Sequence, residues 1–128
     1  MKTKQIWANL GVEDLDRTTK FYTELGFKPN GASKELTSFF VGEDDFVIHF
    51  FLKDILKSGS KGEIADVKYG NEILFTLSAD SKEEVNNWEN EVENAGGTII
   101  SKAEEFGKGY YGFVFADPDG HKFNVFYM

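Results

Sequence analysis

The chain states one pattern of elements twice, and this repeat limits its fold more than any other feature. Asn9 to Phe51 runs from an apolar strand through an acidic cap and an amphipathic helix to Leu25-Gly26-Phe27. A strand and a hairpin follow, ending in Phe46-Val47-Ile48-His49-Phe50-Phe51. Thr76 to Phe126 repeats the order: apolar strand, Ser/Asp cap, amphipathic helix, Ala95-Gly96-Gly97, strand, and a hairpin ending in Phe123-Asn124-Val125-Phe126. A repeated supersecondary unit dictates architecture, because each copy has the same apolar face to bury.

In the first copy, Ile6, Ala8, Leu10 and Val12 alternate with Trp7, Asn9 and Gly11. A period of two predicts a strand with the first set toward the core and Trp7 and Asn9 on the other side. Asp14 can cap the following helix by accepting from first-turn amides. Leu15, Thr18, Tyr22 and Leu25 mark that helix's apolar stripe, and Gly26 suits the left-handed position that ends it. Phe27 to Lys34 predicts a short strand and a turn punctuated by Pro29, Asn30 and Gly31. Thr37 to Val41 and Phe46 to Leu52 predict two strands around the turn Gly42-Glu43-Asp44-Asp45. On the second, Val47, His49 and Phe51 share one face.

Lys53 to Gly70 is the least regular stretch, with room for a helical turn at Asp54 to Lys57 and a Ser58-Gly59-Ser60-Lys61-Gly62 run. It reads as the connector between the copies, either a lid or a plain tether. In the second copy, Glu72, Leu74, Thr76 and Ser78 alternate with Ile73, Phe75 and Leu77. Ser81-Lys82-Glu83-Glu84 fits a capping box. Val85, Trp88, Val92 and Ala95 give the helical stripe, and Gly96 ends it. Thr98 to Ser101 predicts a short strand. Tyr110 to Ala116 and Lys122 to Tyr127 predict a hairpin around Asp117-Pro118-Asp119-Gly120, with His121 solvated beside the turn.

The predicted fold is therefore α+β: duplicated βαβββ modules forming a curved mixed sheet around a cavity, with helices on the outer face. A chain of 128 residues accommodates this as one domain, with modules 1–52 and 71–128 joined by connector 53–70. The 13 Phe residues suit either a Phe-rich core or an aromatic-lined pocket. A net charge of −8 argues against nucleic acid or an anionic membrane as partner. The absence of cysteine excludes a disulfide framework, a thiol nucleophile and a thiolate metal site. No signal-like or membrane-length apolar run is evident, so a cytoplasmic protein is expected.

Two markers in this order carry a likeness: Val12-Glu13-Asp14-Leu15 with Phe21-Tyr22-Thr23-Glu24-Leu25-Gly26-Phe27, and Asp117-Pro118-Asp119-Gly120-His121 before the last strand. With them, nearly the whole chain resembles the vicinal oxygen chelate superfamily of glyoxalase I, bleomycin-resistance proteins and extradiol dioxygenases. It is similar to small bacterial proteins called predicted lactoylglutathione lyases. The resemblance implies a homodimer. It also implies that metal-using members take one ligand from the first and one from the last strand of each module. Carried onto this chain, those positions are Trp7, His49, Leu74 and Asn124. Only His49 is a good ligand, since Trp and Leu offer no lone pair and an Asn carbonyl is weak for zinc, nickel or iron. Glu72 shares the face of Leu74 but would need a shifted register to substitute. No metal and no cofactor are expected.

His49 has three readings: a hydrogen-bonded histidine in an aromatic setting, a polar contact for a ligand, or a general base near neutral pH, although no partnered nucleophile is visible in the sequence. Asp117 and Asp119 read as turn-formers and not as a catalytic pair. Gly107-Lys108-Gly109 lacks a phosphate-loop pattern and reads as a loop. Three functions follow. In the first, a binding protein with a degenerate metal site holds a flat or apolar small molecule in an aromatic cavity. Trp7, Phe51, Phe113 and Phe126 would stack on the ligand and Asn9, His49 and Asn124 would orient it, with Glu72 and Leu74 nearby. The second is a metal-dependent lyase, isomerase or dioxygenase. The third is a non-catalytic structural or interaction module whose aromatics fill its own interior.

Overall fold

A computed structural model describes residues 1–128 and divides the chain into two compact units, Met1–Ala65 and Asp66–Met128. The first contains β1 (Trp7–Val12), α1 (Leu15–Glu24), β2 (Lys28–Ala32), β3 (Leu36–Val41), β4 (Phe46–Leu52) and α2 (Lys53–Ser60). The second contains β5 (Leu74–Ser78), α3 (Lys82–Asn94), β6 (Thr98–Phe106), β7 (Tyr110–Ala116) and β8 (Lys122–Tyr127). Each unit builds one four-stranded mixed sheet, ordered β1-β4-β3-β2 and β5-β8-β7-β6. In both, the first strand pairs in parallel with the last, and the other pairings are antiparallel. The fold is α+β with a duplicated βαβββ module. No helix is long and apolar enough to cross a membrane.

One face of each sheet is closed by a helix. Asp14 caps α1 by accepting from the Arg17 amide, and Gly26, at φ +85°, ends it. α1 thereby delivers Thr18, Phe21 and Tyr22 into the core, where the Tyr22 ring stacks on Phe50 at 4.5 Å and lies 5.7 Å from Phe39. In the second unit α3 packs over β6, β7 and β8. Val85 and Val92 are buried there, as are Phe113, Phe115, Phe123 and Val125 of β7 and β8, with Phe115 and Phe123 stacked at 5.1 Å. Ser81 Oγ accepts from the Glu84 amide, while the Glu84 carboxylate accepts from the Asp80 amide, one residue earlier than a standard capping box requires.

Five local expectations change. Ile6 lies before β1 and is exposed, because pairing along this edge strand starts at Trp7 and Val47. Pro29 and Gly31 lie within β2, not beyond it. β2 is an edge strand bulged between Pro29 and Ala32, which is where a sheet tolerates a missing amide donor. The helical turn foreseen at Asp54 to Lys57 is the eight-residue α2, closed by Lys61 in the left-handed region. β6 runs nine residues to Phe106, because antiparallel pairing with β7 carries it through two register shifts past the polar Lys102 to Glu105 stretch. His121 is buried, not solvated. Asp117 Oδ1 accepts from the amides of Asp119 and His121, and the Asp117 amide donates to the His121 carbonyl, so the turn folds inward on itself.

Candidate functional site

The face of the first sheet opposite α1 carries Trp7 and Asn9 from β1, Val47, His49 and Phe51 from β4, and Ser38 from β3. Strand register decides which of them meet. Asn9 lies opposite His49, and His49 lies opposite Ser38. Asn30, at the β2 bulge, reaches the same row. Its Nδ2 donates to Ser38 Oγ at 3.1 Å, and Ser38 Oγ is 2.8 Å from His49 Nδ1. All four strands thus contribute one polar side chain to a single line across the sheet. Aromatic rings flank it: Trp7 and Phe51 stand edge-on to the His49 imidazole, with centroids 6.4 and 6.0 Å away.

This face is partly roofed at one end. Gly11 belongs to the Trp7–Asn9 side of β1, and a side chain there would meet Ile64 at 3.1 Å and the Lys53 and Leu56 side chains of α2 at 3.2 and 3.5 Å. Glycine is what allows α2 and Ile64 to close over the strand. Lys53 also pairs with Glu13 at 3.0 Å, which ties the start of α2 to the end of β1.

The corresponding face of the second sheet carries Leu74 and Thr76 from β5, Asn124 and Phe126 from β8, and Phe106 and Tyr110 at the β6–β7 turn. By register, Thr76 stands to Asn124 as Asn9 does to His49, and Asn124 Nδ2 donates to Thr76 Oγ1 at 3.4 Å. Where the first sheet has Ser38 beside His49, the second has Val114 beside Asn124. Phe126 packs against Phe106 at 4.7 Å and Tyr110 at 6.4 Å.

Seven of the nine sequence-selected residues lie on these two faces: Trp7, Asn9, His49 and Phe51 on the first, Leu74, Asn124 and Phe126 on the second. Phe113 does not. It is 1% exposed and points to the α3 side with Phe115, because odd-numbered residues of β7 face the helix. Glu72 lies two residues before β5 and is exposed. The parallel ladder begins at Leu74 and Lys122, and upstream of Lys122 the chain turns away, so no strand is there to hold Glu72. Ser38 and Asn30 were not selected from sequence. A signal for Ser38 existed: counting outward from the Gly42–Asp45 turn places it opposite His49. Asn30 follows from the antiparallel β2–β3 register, since Lys28 pairs with Phe40 and Pro29 with Phe39, and one residue further brings Asn30 beside Ser38.

Trp7, His49, Leu74 and Asn124 present an indole, an imidazole, an aliphatic chain and an amide. Nowhere does the chain bring together three His, Cys, Asp or Glu side chains able to hold a metal. The one imidazole has its Nδ1 committed to Ser38.

The likenesses to known proteins agree with this fold. A hypothetical protein from S. aureus is 28% identical, aligned over 100% of this chain and 96% of that one, with a TM-score of 0.88. A glyoxalase-related enzyme from Fulvimarina pelagi is 22% identical over 98% of this chain and 89% of its own, with a TM-score of 0.86. A lactoylglutathione lyase from Agrobacterium tumefaciens is 20% identical over 98% and 95%, with a TM-score of 0.72. At 22% and 20% identity the latter two speak for the fold alone. Comparison with curated proteins gave no match. The family model described as Glyoxalase/Bleomycin resistance protein/Dioxygenase superfamily matches residues 4–125, and with the duplicated βαβββ module in place the chain belongs to that superfamily.

Proposed function

We propose that this chain is a small-molecule-binding member of the superfamily with a degenerate metal site. The observation that carries the reading is the polar row Asn9–His49–Ser38–Asn30 set between Trp7 and Phe51 on the helix-free face of the first sheet. Aromatic walls with a few fixed polar groups are what orient a flat, largely apolar ligand. The donor set does not fit a catalytic divalent ion: one imidazole and one amide cannot hold zinc, nickel or iron against water. Binding and sequestration need no metal, and each of Trp7, Asn9, His49 and Phe51 has a role in it. Asn124 and Phe126 offer the second unit's equivalent contacts.

Two measurements test this. Protein purified without chelator or affinity tag is expected to contain well under one transition metal per chain, unchanged in His49→Ala. About one metal per chain, lost in that variant, would overturn the reading in favour of a metal-dependent lyase or dioxygenase. A screen of flat aromatic compounds by tryptophan fluorescence is expected to find quenching that disappears in Trp7→Phe and persists in Trp88→Phe. Replacing His49 by Ala should then weaken the best binder about five- to tenfold, the effect of one lost hydrogen bond.

A further inference from the structure

The chain Asn30–Ser38–His49 has a direction, and that direction fixes what His49 can do. A serine hydroxyl has one proton and two lone pairs. Asn30 Nδ2 donates to Ser38 Oγ and so occupies a lone pair. Ser38 is 1% exposed, and the only other atom within hydrogen-bonding reach of its hydroxyl is His49 Nδ1 at 2.8 Å. A buried hydroxyl proton without an acceptor is costly, so the proton is directed at Nδ1. Neutral imidazole carries a single N–H, which must then sit on Nε2. Nε2 has no partner within the chain.

We infer that Asn30 and Ser38 lock neutral His49 as the Nε2–H tautomer, so that this face offers a ligand a hydrogen-bond donor and selects compounds with an acceptor oxygen, such as an aryl ketone or amide. A histidine that ligates a metal through Nε2 is held the opposite way. Its Nδ1–H donates to a carboxylate, carbonyl or water, which leaves Nε2 bare. Here the Nδ1 partner is a hydroxyl made into a donor by Asn30, so Nε2 must lose a proton before it could bind an ion. Trp7 and Phe51, on either side of the ring, offer no competing acceptor. The second sheet has no such device, since Val114 stands beside Asn124. The tautomer rests on the hydrogen bonds alone, whereas the ligand class rests also on the binding reading above.

Asn30→Asp provides an inversion test. Residue 30 is exposed, so the new carboxylate is ionised at neutral pH. It accepts the Ser38 proton, Ser38 Oγ then accepts from Nδ1–H, and Nε2 is left unprotonated. Long-range proton–nitrogen NMR on ¹⁵N-labelled protein, at a pH where the ring is neutral, reads this directly. His49→Ala separates the His49 signals from those of His121. The wild type is expected to show a protonated Nε2 and a bare Nδ1, and Asn30→Asp the reverse. A wild-type ring protonated at Nδ1, or an Asn30→Asp ring that keeps the wild-type pattern, overturns the lock. The ligand class is read with two neutral probes of one shape, 2-acetylnaphthalene and 2-isopropenylnaphthalene, followed by Trp7 fluorescence. The ketone is expected to bind about fivefold more tightly to the wild type, with the preference gone in Asn30→Asp. Equal binding to the wild type overturns the donor assignment. If neither probe binds, the binding reading falls and the ligand class with it, while the ring spectra decide the tautomer on their own.

Discussion

Glycine at two positions shows how far single side chains govern these sheets. Gly11 gives way to α2, whereas Gly112 gives way to its own neighbours: a Cβ there would lie 2.0 Å from the Val125 carbonyl oxygen and 2.7 Å from the Phe126 ring. The first of these atoms is backbone in the central ladder and cannot move without breaking strand pairing. Gly112→Ala is therefore expected to cost about 3 kcal/mol, at the upper end of overpacking effects, read as a fall in the urea midpoint with little change in slope. A loss under about 1 kcal/mol would show that β7 and β8 can shear apart locally. Gly112 also opens the space into which Phe126 leans, so the variant should disturb the Phe106–Tyr110–Phe126 cluster that the ring contacts define.

Helices α1 and α3 owe their limits to caps and their position to packing. Asp14 and Ser81 each satisfy a first-turn amide, so Asp14→Ala and Ser81→Ala are each expected to cost about 1 kcal/mol in denaturant unfolding. Phe50→Ala should cost more, about 3–5 kcal/mol, because it removes a buried ring that stacks on Tyr22. If the caps proved as costly as the core ring, packing would not be what holds α1. An ion pair links α3 to β6: Lys82 Nζ lies 2.5 Å from Glu105. The hydrogen bond to Lys82 holds the Glu105 carboxyl below its ordinary value, and the same bond holds the Lys82 ammonium above its own. Stabilisation by this pair is present above the unfolded carboxyl's pKa, fades as pH falls through the lowered folded value, and is lost again as pH rises through the raised lysine value. Both groups are fully exposed and screened by water, so Glu105→Gln should leave the urea midpoint at neutral pH essentially where it was.

At the scale of the whole molecule, the chain is two units that repeat one pairing scheme on separate cores. Between the end of α2 and the start of β5, residues 61–73 form no regular element. Lys61 opens this stretch in an exposed left-handed conformation. Exposed chain outside regular structure is where proteases cut folded proteins. Brief trypsin treatment is thus expected to cleave first after Lys61, giving fragments 1–61 and 62–128 by mass spectrometry. A first cut inside β6, after Lys102, would contradict the pairing described for that edge strand.

Much of this was legible from residues alone. The repeat, the alternation on β1, β4 and β5, the caps at Asp14 and Ser81 and the left-handed glycines after α1 and α3 are local signals, set by side-chain periodicity and backbone freedom within a few residues. They determined the α+β class, the module order and the face of the first sheet that carries Trp7, Asn9, His49 and Phe51. Pairing decided the rest. Phe113 looked like a ligand contact until the β7–β8 register turned it to the helix side. Glu72 looked like part of a strand until the ladder was found to start at Leu74. The turn's own hydrogen bonds drew His121 inward. Ser38 and Asn30 gained their place only when two antiparallel pairings, β3 with β4 and β2 with β3, brought three strands to one histidine. Sequence periodicity specifies which way a side chain points along its own strand. Which neighbours it meets depends on register between strands distant in the chain, and that is fixed only when the whole sheet closes.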